Sequence, residues 1–211
     1  MDTLFSRREL FPKTGEYPFL IGDAEELQRL DETAAFNDQS TAETIQRSLK
    51  VDVDQWLAQR REEAAEYEFS AEEMLGTWPG DVPEKGSISL HRDILTGDIK
   101  PEVFLGLATI KEPWQLPAVL KYGAWNACPE AEVHCAFFRR WQAQFGIQIV
   151  GMSGDVVECV VANPPHDQAT AVELAWEQYF YCSDIVEQGC ESIGNLAGTL
   201  LNSPYWYFWW D

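Results

Sequence analysis

The sequence lacks positive charge in its final third. After Arg140 there is no lysine or arginine, whereas the remaining 71 residues carry nine carboxylates, and the whole chain of 211 residues has a formal net charge of −20. Because such a surface repels phosphate backbones, we do not expect nucleic-acid binding. An acidic surface instead speeds the encounter with a basic protein. The same charge is also explained by solubility alone.

Long apolar runs and a secretion signal are missing as well. No stretch approaches the roughly 18 apolar residues that a membrane-spanning helix needs. The opening stretch MDTLFSRRELFPKTGEY has no apolar segment typical of a signal peptide. Five cysteines, an odd number without a CxxC pair, favour buried thiols over a disulfide framework. We therefore expect a cytoplasmic protein that does not bind a membrane.

Recognisable catalytic and metal-binding motifs are absent too. The sequence has no GxGxxG, Walker or GxSxG motif and no zinc-ligand spacing, so we expect neither a metal nor a cofactor. Cys128 precedes a predicted helix, where a thiol can be activated, but Glu130 and Glu132 oppose a thiolate. The side chain of His134 is of doubtful reach as its base. We interpret Cys128 as a packed thiol and leave catalytic residues unassigned.

The patterns that are present predict an α+β fold. The pattern in residues 1–86 predicts an N-terminal α/β extension, with a strand over PFLIG (18–22) and helices beginning after Asp23, at Thr41 and near Asp52 or Asp54. The turn-rich stretch 77–86 is the candidate linker, and alternation predicts a strand over 87–93. We expect the extension to pack on the same body through a shared, mixed sheet.

The pattern in residues 87–211 predicts a C-terminal α+β domain. From residue 103 the predicted order is strand, helix, strand, strand, helix, strand, with the helices over 129–146 and 167–187 and a further short helix over 192–201. This β-α-β-β-α-β order is that of a ferredoxin-like sandwich. No periodic pattern is present over residues 111–129, so we expect a long irregular connection there. Loops of this length are often functional.

The last strand of that order is an aromatic tail, SPYWYFWWD (203–211). Aromatic residues favour strands, and burial of the tail would fix the end of the chain. A strand places alternate residues on opposite faces. We therefore expect one face of the sheet to carry Tyr205, Tyr207 and Trp209. The opposite face should carry Trp206, Phe208 and Trp210.

Five motifs resemble a bacterial family catalogued as domain of unknown function 4253. They are YGAWNACP (122–129), FGIQIVGMSGD (145–155), NPP (163–165), EQYFYCSDIVEQG (177–189) and the tail, and they cover about residues 100–211. The first half matches more weakly, through GEYPFLIGD (15–23) and WLAQR (56–60). Ala124 and Ser183 stand where the family often has glycine and proline. The resemblance implies no activity.

Two functional interpretations remain open. The first is a non-enzymatic, immunity-like binding module that neutralises a basic partner. The alternative is a small-molecule-binding protein or enzyme with an aromatic-lined pocket between the 111–129 loop, the 177–188 segment and the tail. The candidate ligand- or partner-binding residues are Trp125, Asn126, Tyr181, Asp184, Gln188, Trp206, Trp209 and Asp211.

The same residues also have a purely structural interpretation. Tyr181, Asp184 and Gln188 recur at helical spacing and can either contact a ligand or form a buried polar network. The tryptophans equally suit an ordinary core. The sequence does not determine the partner, the ligand, any reaction or the oligomeric state.

Overall fold

A mixed five-stranded sheet organises the fold in the computed structural model, which describes residues 1–35, 37–66, 70–80 and 86–211. The strands are β1 (Glu16–Gly22), β2 (Phe104–Thr109), β3 (Ile147–Met152), β4 (Val156–Val161) and β5 (Tyr205–Trp209). The described α-helices are α1 (Asp2–Thr14), α2 (Ala24–Ala35), α3 (Thr41–Ser48), α4 (Val53–Ala65), α5 (Ala71–Leu75), α6 (Leu116–Leu120), α7 (Ala131–Phe145), α8 (Gln168–Tyr181) and α9 (Ile193–Leu200). Half of the predicted 77–86 linker, residues 81–85, lies outside the described residues.

The N-terminal segment contributes a central strand. The sheet order is β2-β1-β3-β4-β5. β1 pairs antiparallel with β2 along its length and parallel with β3 at Leu20 and Gly151. The shared, mixed sheet expected from the PFLIG strand is therefore present.

The element order from β2 to β5 is the predicted one, but the strand order is not ferredoxin-like. A split βαβ unit places a third strand between the two strands that flank each helix. Here β4 and β5 flank α8 and are direct antiparallel neighbours. Strand pairing depends on contacts between distant segments, which the order of elements along the chain does not specify.

The aromatic tail forms β5 at one edge of the sheet, paired antiparallel with β4 from Tyr205 to Trp209. Trp206, Phe208 and Trp210 are buried in the main core with α7 and α8. Tyr205 and Trp209 pack against a second, smaller apolar cluster. The predicted alternation of the tail is confirmed.

The strand predicted over residues 87–93 is wrong. Ile88 and Leu90 are buried in the second cluster, which explains the alternating pattern. The backbone N–H groups of Ser89 and Leu90, however, donate to the Glu158 carboxylate at 2.6 and 3.3 Å. The alternation of apolar and polar residues in this segment therefore reflects burial of alternate side chains and not pairing with another strand.

The connection 111–129 contains more regular structure than predicted. A 3-10 turn over Pro113–Gln115 leads directly into α6. Prolines stand in the first turn of both elements, where a missing N–H is tolerated. Leu116 and Ala118 are fully buried. The irregular parts of this connection are residues 111–112 and the stretch from residue 121 to the start of α7.

The helix predicted over 167–187 is interrupted. The Asp167 carboxylate caps α8 by accepting from the Thr170 N–H at 2.9 Å, but the helix ends at Tyr181. A π-helix over Ile185–Cys190 follows, an element that is often found at functional sites. The buried positions of α8 include Ala171, Leu174, Ala175 and Gln178.

Candidate functional site

The end of α8 and the π-helix lie between two cavities. The first, here the loop cavity, is lined by Asn126, Cys128, Tyr181 and Ser183 opposite Trp56 and Arg60 of α4. The second, here the tail cavity, lies between β5, the π-helix and α9. Their volumes are about 430 and about 320 Å³, at the lower end of the range for small-molecule sites. The single predicted pocket is thus replaced by two.

The tail cavity has predominantly apolar and aromatic walls. β5 supplies Tyr205, Trp206, Tyr207 and Trp209, and α9 and the π-helix supply a set of smaller side chains that includes Ile185, Cys190, Leu196 and Leu200. The period-2 alternation of β5 would put Trp206 and Trp209 on opposite faces. Both reach this cavity because it runs along the open edge of the strand.

Two buried nitrogen donors in the wall of the tail cavity have no hydrogen-bond partner in the described part of the chain. They are Nε2 of Gln178 and Nε1 of Trp206. The two residues are only 1% and 2% exposed. An unpaired buried donor lowers the free energy of unfolding by about 1–3 kcal/mol. Such donors are therefore uncommon in native proteins.

The only charged side chain in this wall, as far as the chain is described, is Asp184. Its Oδ1 accepts from Gln188 Nε2 at 3.2 Å, and its Oδ2 accepts from the Asp211 backbone N–H at 3.0 Å. A carboxylate has roughly four acceptor positions, and these two bonds leave capacity for a ligand. The cavity therefore combines aromatic and apolar walls with one negative charge.

In the loop cavity, Cys128, His134 and Tyr181 form a buried row. Cys128 Sγ lies 3.4 Å from His134 Nε2, and the Tyr181 hydroxyl contacts His134 Nδ1. The reach of His134, doubtful from the sequence, is therefore sufficient for contact with Cys128. The loop closes on itself just before α7, since the Ala124 N–H donates to the Pro129 carbonyl at 2.9 Å.

Burial sets the protonation states of this row. Loss of hydration lowers the pKa of His134 to about 3 and raises the pKa of both the Cys128 thiol and the Tyr181 hydroxyl. All three groups are thus neutral at physiological pH. A base with so low a pKa is poorly matched to a thiol with a raised pKa. The row joins the loop to α7 and α8 and is not an activated nucleophile.

The structure brings four predicted site residues into one hydrogen-bonded group. Asn126 Nδ2 donates to the Asp211 carbonyl at 2.8 Å, and Asp184 binds both Gln188 and the Asp211 N–H. Tyr181 is separated from this group because α8 ends there, and its hydroxyl turns to His134. The predicted helical ladder of Tyr181, Asp184 and Gln188 is therefore split.

The remaining predicted residues are tryptophans. Trp206 and Trp209 line the tail cavity with Asp184. Trp125 lines neither of the two cavities and packs edge-on against Tyr122, with ring centroids 5.1 Å apart. Sequence reasoning missed Gln178. A signal for it exists, because Gln178 continues the spacing of buried Ala171, Leu174 and Ala175 on α8.

Metal chemistry has no support in the described residues, where no three His, Cys, Asp or Glu side chains converge on a common point. All five cysteines are free thiols. Every helix of the described segments is too short or too polar to cross a lipid bilayer.

Residues 104–211 match the sequence model of a family described as a domain of unknown function (DUF4253). The matched range begins with β2 and includes β5, the π-helix and the loop 122–129. No curated protein and no solved structure matches the chain.

Proposed function

This chain belongs to the DUF4253 family, and we propose that it is a small-molecule-binding protein whose ligand occupies the tail cavity. The observation that carries the proposal is the aromatic and apolar wall of this cavity, in which Asp184 is the one charged side chain of the described lining. A ligand with a hydrogen-bond donor would bind the acceptor positions that Asp184 leaves free. Apolar walls with a few convergent polar groups are typical of ligand sites.

Binding is favoured over thiol catalysis by the protonation states in the loop cavity. Cys128 and His134 are both neutral, and the low pKa of the imidazole opposes proton transfer from sulfur. The tail cavity contains one further thiol, Cys190, whose pKa is also raised by burial. These groups support recognition of a ligand without covalent chemistry.

Ligand screening with cavity-blocking variants tests the proposal. Wild-type protein is screened by ligand-observed NMR against one- and two-ring compounds that carry hydrogen-bond donor groups. Cys190→Phe narrows the tail cavity, and Ala127→Phe, at an exposed position of the loop cavity, is the matched control. Ligands that bind the wild type and Ala127→Phe but not Cys190→Phe support the proposal. An empty screen, or binding abolished by Ala127→Phe alone, contradicts it.

A second proposal is an immunity-like role in which the acidic protein neutralises a basic partner. It is supported by the net charge of −20 and by the lack of Lys and Arg after Arg140. Free thiols at all five cysteines suit a reducing compartment such as the cytoplasm. Affinity capture washed at low and then high salt tests it. A basic protein retained one-to-one and released by salt supports this role, whereas salt-resistant or non-basic partners count against it.

A further inference from the structure

We propose that the outer edge of β2 is a self-association interface, at which two copies of this chain pair antiparallel through β2 across a two-fold axis. In the sheet order β2-β1-β3-β4-β5, the two edge strands are β2 and β5. An edge strand presents unpaired N–H and C=O groups and can therefore pair with a further strand. An antiparallel pair of identical strands is self-complementary, as a two-fold interface requires.

The backbone of β2 has hydrogen-bonding groups that no described residue uses. The Ile110 N–H donates to the Gly15 carbonyl at 3.1 Å, on the side of β1. Hydrogen-bonded positions alternate along an antiparallel pair, so the backbone groups of Leu105, Leu107 and Thr109 point away from β1. No hydrogen bond from the described part of the chain reaches these groups. A further strand can therefore pair with β2 along its whole length.

The edge at β5 is partly blocked. The Trp209 carbonyl accepts from the Cys182 thiol at 3.0 Å, and the Tyr205 carbonyl accepts from the Ser203 hydroxyl at 2.9 Å. Both carbonyls lie on the outer side of β5, because the neighbouring Trp210 N–H donates to the chain at the start of β4. The edge at β2 is therefore the more open of the two.

The side chains of β2 do not oppose pairing. The strand sequence FLGLAT (104–109) contains neither proline nor a charged residue, which are the features that commonly protect an edge strand. Leu107, in the middle of the outward positions, is 47% exposed. In a two-fold pair centred on this residue, the two copies of Leu107 would lie opposite each other and exclude water from one another.

Exposed apolar side chains are concentrated in the segments around β2. Ten large apolar side chains are exposed in the described residues, and seven of them belong to residues 1–10, 94–99 and 107. Met1, Ile99 and Leu105 line one groove of about 580 Å³, which brings these segments next to β2. Groups of exposed apolar side chains commonly mark interaction sites. A second copy docked at β2 would remove part of this surface from water.

The distribution of charge favours a second copy as the occupant. Residues 1–22 and 86–110, which include α1, β1 and β2, carry five basic and six acidic residues, a net charge of −1 in a chain of −20. Two acidic molecules repel one another least where they meet through such a nearly neutral surface. The same surface offers a strongly basic partner no complementary charge.

Pairing through β2 also keeps the most acidic parts of the two copies apart. The residues after Arg140, with nine carboxylates and no lysine or arginine, supply β3, β4 and β5. β5 lies four strand positions from β2, which is roughly 19 Å at the usual strand spacing. Because the Debye length at physiological salt is about 8 Å, repulsion across that distance is largely screened.

Sedimentation velocity of the full chain over a range of concentrations tests the proposal. A pair of six-residue strands buries a small area, so we expect a dimer with a dissociation constant in the micromolar range. Salt screens the repulsion between two acidic molecules, so the dimer should strengthen as the NaCl concentration is raised. A chain that stays monomeric up to about 100 μM at high salt overturns the proposal, and so does a dimer that weakens with salt.

Matched lysine substitutions locate the interface. Leu107→Lys brings two like charges together at the two-fold axis and should weaken the dimer about tenfold or more. Tyr207→Lys, at an exposed outward position of β5, changes the net charge by the same amount and should leave the dimer unchanged. Thr109→Lys, at the next outward position of β2, repeats the test if circular dichroism shows that Leu107→Lys is unfolded. Equal effects at β2 and β5, or no effect at β2, overturn the assignment.

Discussion

The Tyr181 hydroxyl contacts Nδ1 of His134 across the interface of α8 and α7, although the two residues are 47 positions apart. Both side chains are fully buried, and aromatic rings surround the imidazole, among them Trp210 at 5.3 Å and Tyr122 at 5.2 Å between centroids. The contact therefore fastens the end of α8, next to both cavities, to the core.

Removal of the Tyr181 hydroxyl should destabilise the protein. Tyr181→Phe leaves Nδ1 of His134 buried without its partner, and we expect the free energy of unfolding to fall by about 1–3 kcal/mol. Urea denaturation followed by tryptophan fluorescence measures this change. Tyr207→Phe, at an exposed position of β5, is the control and should change stability little. Equal effects of the two variants would refute the network.

Alkylation should reach the cysteines in the order of their exposure. Cys190 is half-buried, whereas the other four cysteines are buried. Burial also raises the pKa of Cys128, which lowers its thiolate fraction. At neutral pH, iodoacetamide should label Cys190 first. Cys128 should be labelled only at the rate at which the protein unfolds. Peptide mass spectrometry reads each site, and rapid labelling of Cys128 would restore it as a candidate nucleophile.

Stability should depend on pH through Glu158. This carboxyl is 1% exposed, and burial raises its pKa above the ordinary 4.5 despite the hydrogen bonds from Ser89 and Leu90. As the pH rises above 4.5, the unfolded chain ionises first, so the contribution of Glu158 to stability falls until the folded carboxyl ionises too.

A neutral replacement removes that dependence. Glu158→Gln should gain stability relative to the wild type as the pH rises from about 4 to about 8, as measured by urea denaturation across this range. The exposed Glu173, changed to Gln, provides the matched control. The prediction fails if the stability difference between Glu158→Gln and the wild type is flat over this range.

Gly123 should tolerate no side chain. Its φ is +95°, and a Cβ there would lie 1.9 Å from the Pro129 carbonyl oxygen and 2.8 Å from His134 Nε2. Gly123→Ala therefore combines backbone strain with a clash, and we expect a loss above about 2 kcal/mol in thermal or urea denaturation.

A second glycine separates strain from clash. Gly97 also has a positive φ, +73°, but a Cβ there meets no atom within 4 Å. Gly97→Ala should therefore cost only about 1 kcal/mol. If the two variants lose the same stability, close packing at Gly123 contributes nothing.

Local patterns in the sequence were sufficient for most individual elements. Period-2 alternation predicted which tail residues enter the main core, and β5 buries Trp206, Phe208 and Trp210 as expected. Capping chemistry narrowed the start of α4 to Asp52 or Asp54, and the cap is Asp52, whose carboxylate accepts from the Gln55 N–H at 3.1 Å. Such signals act within a few residues, so one sequence carries them completely.

The tertiary structure decided what distant residues do together. The segment around Ser89 was predicted to be a strand, but its backbone donates to the carboxylate of Glu158, 69 positions away. The direct pairing of β4 with β5 excluded the ferredoxin-like order, and the end of α8 at Tyr181 divided one predicted pocket into two. These features depend on contacts that form only when the whole chain is packed, and no local periodicity or cap encodes them.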